Sequence, residues 1–165
     1  LSGRAWVYGD DVNTDLIIAG RYLHSYDPEE LAKHAFEDLD ATFAQEVRAG
    51  DVVVGGSNFG CGSSREQAAS CLVGAGISAV VAVSFARIFF RNSINRGLPV
   101  LVCPGADTMA RKGDELEVDV SSGIICNITS GKEFHANPLP DEVMHIVNAG
   151  GLVPYVQNRL LEGRP

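Results

Sequence analysis

Apolar residues fall into two textures along the chain. Between residues 51 and 103, short aliphatic runs alternate with stretches of helical period. Residues 51–54, 77–83 and 99–103 are β-branched or aliphatic runs bounded by glycine or proline, which suits strands buried on both faces. Between the first two, Ala68, Cys71, Leu72 and Ala75 repeat at the i, i+3, i+4, i+7 spacing of one buried helix face, ended by Gly74 and Gly76. Phe85, Ile88, Phe89 and Asn92 mark one face of a second helix, closed by Gly97. The run is β-α-β-α-β, which predicts parallel strands with right-handed crossovers. After residue 115 the period shortens to two. Residues 116–120 and 124–129 alternate apolar with polar around Ser121-Ser122-Gly123, predicting a hairpin with one wet face, and Gly131 turns into Glu133-Phe134-His135. A helix over 140–150 follows, with Val143, Met144, Ile146 and Val147 inward, then a last helical segment after Gly151.

The first third is shorter in period. Residues 4–9 read as a strand and residues 10–15 as the loop after it. Asp27 as N-cap and Pro28 at the first helical position predict a short helix over 28–36, with Leu31, Ala35 and Phe36 inward. Residues 41–49 form another amphipathic segment. No repeat, low-complexity run or linker divides the chain, so its 165 residues are expected to form one α/β domain, 1–165. A domain of that size buries ~70% of its unfolded surface.

The strand ending at Val54 meets the helix beginning near residue 66 through Gly55-Gly56-Ser57-Asn58-Phe59-Gly60-Cys61-Gly62-Ser63-Ser64-Arg65-Glu66-Gln67. Four glycines permit positive φ and let the backbone approach a ligand where a Cβ would collide. Ser63 with Glu66 three residues on reads as a capping box, placing Ser63 at the N-cap and free N–H groups at the positive end of the helix. Three familiar motifs fail here. A phosphate-binding loop needs Lys-Ser/Thr after the second glycine, where Cys61-Gly62 stands. A dinucleotide fingerprint needs Gly or Ala at Arg65, and a nucleophile elbow around Ser64 needs glycine at Glu66. What remains is a set of backbone donors, hydroxyls and one guanidinium suited to a small carboxylate, since the planar fork of Arg65 can bind both oxygens.

Charge and cysteine content narrow the class. A net charge of -8 excludes a nucleic-acid surface, which needs clustered Lys and Arg. Small anions remain compatible, because a local guanidinium outweighs a distant acidic surface when the Debye length is only ~8 Å. No apolar run reaches the ~20 residues of a membrane span and no leader-like stretch is visible, so the chain is expected to be soluble and cytoplasmic. Cys61, Cys71, Cys103 and Cys126 lack metal spacing, so neither zinc nor an iron–sulfur cluster is expected on this chain. Cys71, Cys103 and Cys126 read as buried small hydrophobes. Cys61 lies in the loop near the helix start, where a thiol pKa tends to fall, but packing is its expected role. The acids of residues 10–15 lack the glycine and terminal Glu of a calcium loop, and local capping is the simpler reading. His34 reads as a solvated helix position, and His135 and His145 show no charge partner. Arg87, Arg91 and Arg96 read as solvated or helix-end charges, or as a group meeting an acidic partner surface.

The string from Gly56 to Ala68 resembles the signature of the aconitase superfamily's mobile swivel domain, in its stand-alone form as the small subunit of 3-isopropylmalate dehydratase. Asp10-Asp11-Val12-Asn13-Thr14-Asp15-Leu16-Ile17 and Ser84 to Pro99 agree in order and spacing. The resemblance implies a swivelling β/β/α three-layer fold of the aconitase C-terminal type. It implies a hydro-lyase that removes and re-adds water on a substituted malate, isomerising 2- and 3-isopropylmalate in leucine biosynthesis. Homoaconitase and other alkylmalate hydro-lyases are the nearest enzymatic alternatives, and a carboxylate-binding regulatory subunit the non-enzymatic one. By match to the motif, Ser63 is the base and Arg65 holds a substrate carboxylate. Ser64, Gly62 and Asp15 line the site, and His24, in Arg21-Tyr22-Leu23-His24, approaches the variable substituent. A [4Fe–4S] cluster would sit on a separate large subunit, in a heterodimer or heterotetramer, with none bound by this chain.

Overall fold

The computed structural model describes residues 1–163. Seven strands form one sheet in the order β4-β3-β2-β1-β5-β6-β7. These are β1 (Ser2–Val7), β2 (Val52–Gly55), β3 (Ala79–Ala82), β4 (Val100–Val102), β5 (Glu115–Val118), β6 (Ile124–Asn127) and β7 (Lys132–His135). β1 to β4 are parallel and β5 to β7 antiparallel. The two halves meet within β1: Ala5 to Val7 pair with Val52 to Val54, while Ser2 to Arg4 pair with Glu115 to Glu117. One strand serving different neighbours at its two ends curls the sheet into two layers, and helices on the parallel half make the third, as expected.

Every residue of β2 and β3 is buried, as their unbroken aliphatic runs require. Right-handed crossovers put α4 (Glu66–Gly74) and α5 (Arg87–Asn95) on one face. There α2 (Pro28–Ala32) packs onto α4 so closely that a Cβ on Gly74 would lie 2.0 Å from the Pro28 carbonyl oxygen. Gly74 is thus a packing residue, and Gly76, at φ +85°, turns the chain out of the helix. Asp27 caps α2 through a bond from the Glu29 amide at 3.1 Å. That helix is shorter than expected, because Phe36 leaves helical geometry at φ +55° and drives its ring between Tyr8 and Phe43. The amphipathic segment over 41–49 contracts to one turn, α3 (Phe43–Glu46), with Phe43 buried.

The antiparallel half alternates exposed and buried as its period predicts. Cys126 falls on the outer face and is half-buried, not a core residue like Cys71 and Cys103. α6 (Asp141–Asn148) packs on α5, and α7 (Leu152–Leu161) on α6. The inward residues of α6 are half-buried, because a third helix layer has core on one side only. α5 is rotated from expectation: Phe89, Ser93 and Ile94 are buried, and Ile88 is 48% exposed. Ser93, a polar residue facing inward, hid the true face.

Asp51 fastens the start of β2. Its side chain accepts hydrogen bonds from the Trp6 indole (2.9 Å), the Arg48 amide (2.9 Å), the Arg4 amide (3.2 Å) and the Arg4 guanidinium (3.1 Å). Burial pushes its pKa up, but those donors outweigh burial and hold the carboxyl below its ordinary value.

Candidate active site

The loops leaving β1, β2 and β3 meet at the carboxyl ends of the parallel strands, where open α/β sheets place ligands. They are laced by backbone bonds: Asp11 N–H to Ser57 O (2.9 Å), Gly60 N–H to Val12 O (2.7 Å), Thr14 N–H to Cys61 O (2.8 Å) and Phe59 N–H to Ser84 O (3.0 Å). Side chains add to the lacing. Asp10 accepts from the Ser57 amide at 2.7 Å, and Asn58 donates to Asp11 at 3.2 Å, with Asp11 and Asn58 both at positive φ. Gly60, at φ +82°, lies against the Phe89 ring, where a Cβ would come within 2.2 Å of it. The loop is thus a braced platform, and Asn13 starts the single turn of α1 (Thr14–Ile17) by accepting from the Leu16 amide at 3.0 Å.

Ser63 is not the N-cap of α4. The helix begins at Glu66 with Arg65 as its cap residue, extended at φ -112° and ψ 109°, and no side chain caps it. The reason is tertiary: the Thr14 hydroxyl donates to the Ser63 carbonyl at 2.9 Å, and Arg65 reaches back to α1, which keeps residues 63–65 out of the helix. Gly62, Ser63 and Ser64 are exposed, and neither serine hydroxyl is bonded within the described residues. Cys61 lies five positions ahead of the helix start, half-buried, outside the reach of the helix end.

Arg65 is the organising side chain. Its Nη1 pairs with the Asp15 carboxylate and donates to the Ile18 carbonyl at 3.2 Å. Its side chain is 19% exposed and that of Asp15 60%. Both hydrogens of Nη1 are used, so the Nε–Nη2 edge is left to offer a carboxylate two parallel donors. Gly20 borders that edge: a Cβ there would lie 3.6 Å from Nη2. Sequence spacing gave no sign that Asp15 and Arg65, fifty residues apart, form one unit.

His24 is brought near this platform but not into it. It lines a separate surface groove of about 430 Å³ with Tyr22, Ser25, Glu30, Leu31 and His34. That groove adjoins α4, since Gln67 donates to the Leu23 carbonyl at 3.4 Å. His34 is no lone solvated residue: its ring stacks on Tyr22 at 3.7 Å and its Nδ1 lies 3.0 Å from Glu37. His135 likewise has Glu133 at 3.1 Å. Among the described residues no three His, Cys, Asp or Glu side chains could jointly hold a metal ion.

Comparison with known proteins fits this geometry. A sequence description of the aconitase C-terminal domain matches residues 11–104, a span holding the loops after β2 and β3 and part of the loop after β1. The chain belongs to the aconitase C-terminal domain family. It is 54% identical to 3-isopropylmalate dehydratase small subunit 1 of Methanopyrus kandleri, over 99% of this chain and 98% of that one. It is 56% identical to the small subunit of that enzyme from Methanosarcina acetivorans, over 98% and 99%. A crystal structure of 3-isopropylmalate dehydratase from Methanocaldococcus jannaschii superposes with a TM-score of 0.93 at 44% identity, covering 98% of this chain and 96% of that one. Within the aconitase C-terminal family, the three braced loops and Arg65 therefore sit on a scaffold matched end to end by dehydratase small subunits.

Proposed function

We propose that this chain is the small subunit of a hydro-lyase that interconverts 2- and 3-isopropylmalate by dehydration and rehydration, working in the cytoplasm. The observation that carries the reading is the free Nε–Nη2 edge of Arg65, fixed by Asp15 and Ile18 beside two exposed serine hydroxyls. Small-subunit relatives covering the whole chain support the substrate class.

Removing water from a malate poses two problems. The proton beside a carboxylate is weakly acidic and needs a placed base, and the departing hydroxide needs a Lewis acid. Arg65 binds the substrate carboxylate side-on and fixes the carbon to be deprotonated. Ser63, as its alkoxide, takes that proton, and returns it to the neighbouring carbon in the rehydration that gives the isomer. Gly62, at φ +94°, leaves the loop bare of a side chain where the substrate approaches, and the exposed Ser64 hydroxyl is available to the substrate beside it. α4 starts three residues after Ser63, so its dipole contributes little to holding the alkoxide. Much of that stabilisation falls to groups across a subunit interface. Among the described residues no three His, Cys, Asp or Glu side chains could jointly hold a metal ion, and we assign the Lewis acid to a [4Fe–4S] cluster on a large subunit, in a heterodimer or heterotetramer. We assign the alkyl substituent to the side of the site nearest His24, where an imidazole holds a second carboxylate less well than a guanidinium would, favouring isopropyl.

Reconstitution with a purified cluster-bearing large subunit tests this. Turnover of both isopropylmalates is expected, with homocitrate-type acids poor substrates. Ser63→Ala should abolish turnover while substrate still binds; wild-type turnover in that variant would remove Ser63 from the role of base.

A further inference from the structure

We infer that the outer face of α5, carried by Arg87, Ile88 and Arg91, docks against an acidic surface of the cluster-bearing large subunit. This rests on the two-subunit reading above. Residues 67–106 contain three arginines and no acidic residue, in a chain whose net charge is -8. Arg96 is accounted for by Glu66 at 3.5 Å. Arg87 and Arg91 are exposed, and neither forms an ion pair or side-chain hydrogen bond with a described residue.

Within the isolated chain their placement is unfavourable twice. Arg87 is the first residue of α5, at the positive end of a helix whose N-cap, Ala86, supplies no side-chain acceptor. Arg91 lies four residues on, where like charges repel across one turn. Between them Ile88 is 48% exposed, an apolar residue beside two cations. Nothing in the fold needs this arrangement, and an acidic partner surface with an apolar centre satisfies all three residues.

Its location fits that partner. α5 follows directly from the loop that braces the site: Ser84 accepts from the Asn58 amide at 2.8 Å, and the Ala86 amide donates to Phe59 O at 2.9 Å. A subunit that brings its cluster over Ser63 and Arg65 therefore passes beside this face. Desolvated charge pairs there would set both affinity and assembly rate, with a marked salt dependence.

The test measures the dissociation constant of the two subunits by sedimentation at 50 and 200 mM salt, with KM taken at saturating small subunit. Arg87→Glu/Arg91→Glu should weaken assembly by about 30-fold or more and flatten its salt dependence, as for reversed interfacial charges. KM should stay within about twofold of wild type, and Lys132→Glu, on β7, should assemble normally. Since an acid is welcome at a helix N-terminus, Arg87→Glu should also raise the melting temperature of the isolated chain slightly, a sign opposite to that of a structural arginine. Wild-type affinity in the double variant overturns the inference, as does unchanged affinity with raised KM, which would move the arginines to the substrate. If the wild-type chain neither assembles nor turns over, the two-subunit reading falls and takes this inference with it.

Discussion

Two arginine–aspartate pairs lie at opposite ends of the parallel strands, and they are built for different work. At the start of β2, Asp51 is 3% exposed and faces only donors: the Trp6 indole, two backbone amides and the Arg4 guanidinium. At the far end, Asp15 meets one nitrogen of Arg65, keeps 60% of its side chain in solvent, and leaves three of the guanidinium's five N–H donors unused. The carboxylate of the first pair is saturated with donors, so Asp51 can only hold the fold. The second is pre-organised and incomplete, which is what a ligand site requires.

Replacing Asp51 should give the largest change. Asparagine at 51 sets an amide NH2 among donors, and leaves Arg4 without its counter-ion. We expect a loss of about 3 kcal/mol in urea unfolding, the low end for breaking a buried pair, because Arg4 keeps 29% exposure. Substrate binding by the folded variant should be unchanged. The pH dependence has a fixed sign. The folded-state pKa of Asp51 is lowered, so its stabilisation is complete above the unfolded value of ~3.9 and drains away as pH falls through the folded value. The gap between wild type and Asp51→Asn should therefore narrow in acid below about pH 4. A gap that is constant from pH 7 to 2 would show that the charge is not what stabilises.

How far these two regions were legible in the sequence differs for a physical reason. β2 and β3 were plain, because strands buried on both faces must be aliphatic throughout, and the glycine-dense loop marked the candidate site, where Gly60 and Gly62 take positive φ. The beginning of α4 was not. Ser63 and Glu66 satisfy a local capping rule, but Thr14 and Asp15, from across the fold, hold Ser63 and Arg65 outside the helix. The Asp15–Arg65 pair was invisible for the same reason: a contact fifty residues apart leaves no mark in local period. α5 failed through composition, since Ser93 is polar yet fully buried and Ile88 is apolar yet outward. The stack of His34 on Tyr22, twelve positions away, leaves no mark in local spacing, whereas Glu37 at i+3 of His34 and Glu133 on the same strand face as His135 are ordinary local neighbours.

The open pair predicts a second, smaller effect, on binding and not on stability. Arg65→Lys keeps the charge and can still reach Asp15 or the Ile18 carbonyl, but an ammonium cannot present two parallel donors. Substrate affinity in the reconstituted enzyme should fall by about 1.5–3 kcal/mol, roughly 10- to 150-fold. The unfolding free energy should move by less than about 1 kcal/mol. A variant that loses stability instead of affinity would make the two pairs alike.

The smallest effect should come from Asp15→Asn, and it decides what the open pair is for. With 60% of the Asp15 side chain in water, the ion pair contributes little to folding, and the unfolding midpoint should shift by no more than about 0.5 kcal/mol in free energy. The Ile18 carbonyl still holds Nη1 in the variant, so Arg65 is loosened and not released. A substrate carboxylate arriving at the Nε–Nη2 edge would then meet a less fixed fork. It would also meet one negative charge fewer nearby. Loss of orientation raises KM and loss of repulsion lowers it. Orientation is expected to win, because the proposed carboxylate contact is bidentate while the Asp15 charge is screened by solvent, and KM should rise about two- to fivefold, under 1 kcal/mol. Tighter binding in Asp15→Asn would instead make Asp15 a competitor that substrate must displace. The guanidinium would then be guarded in the free chain, not aimed.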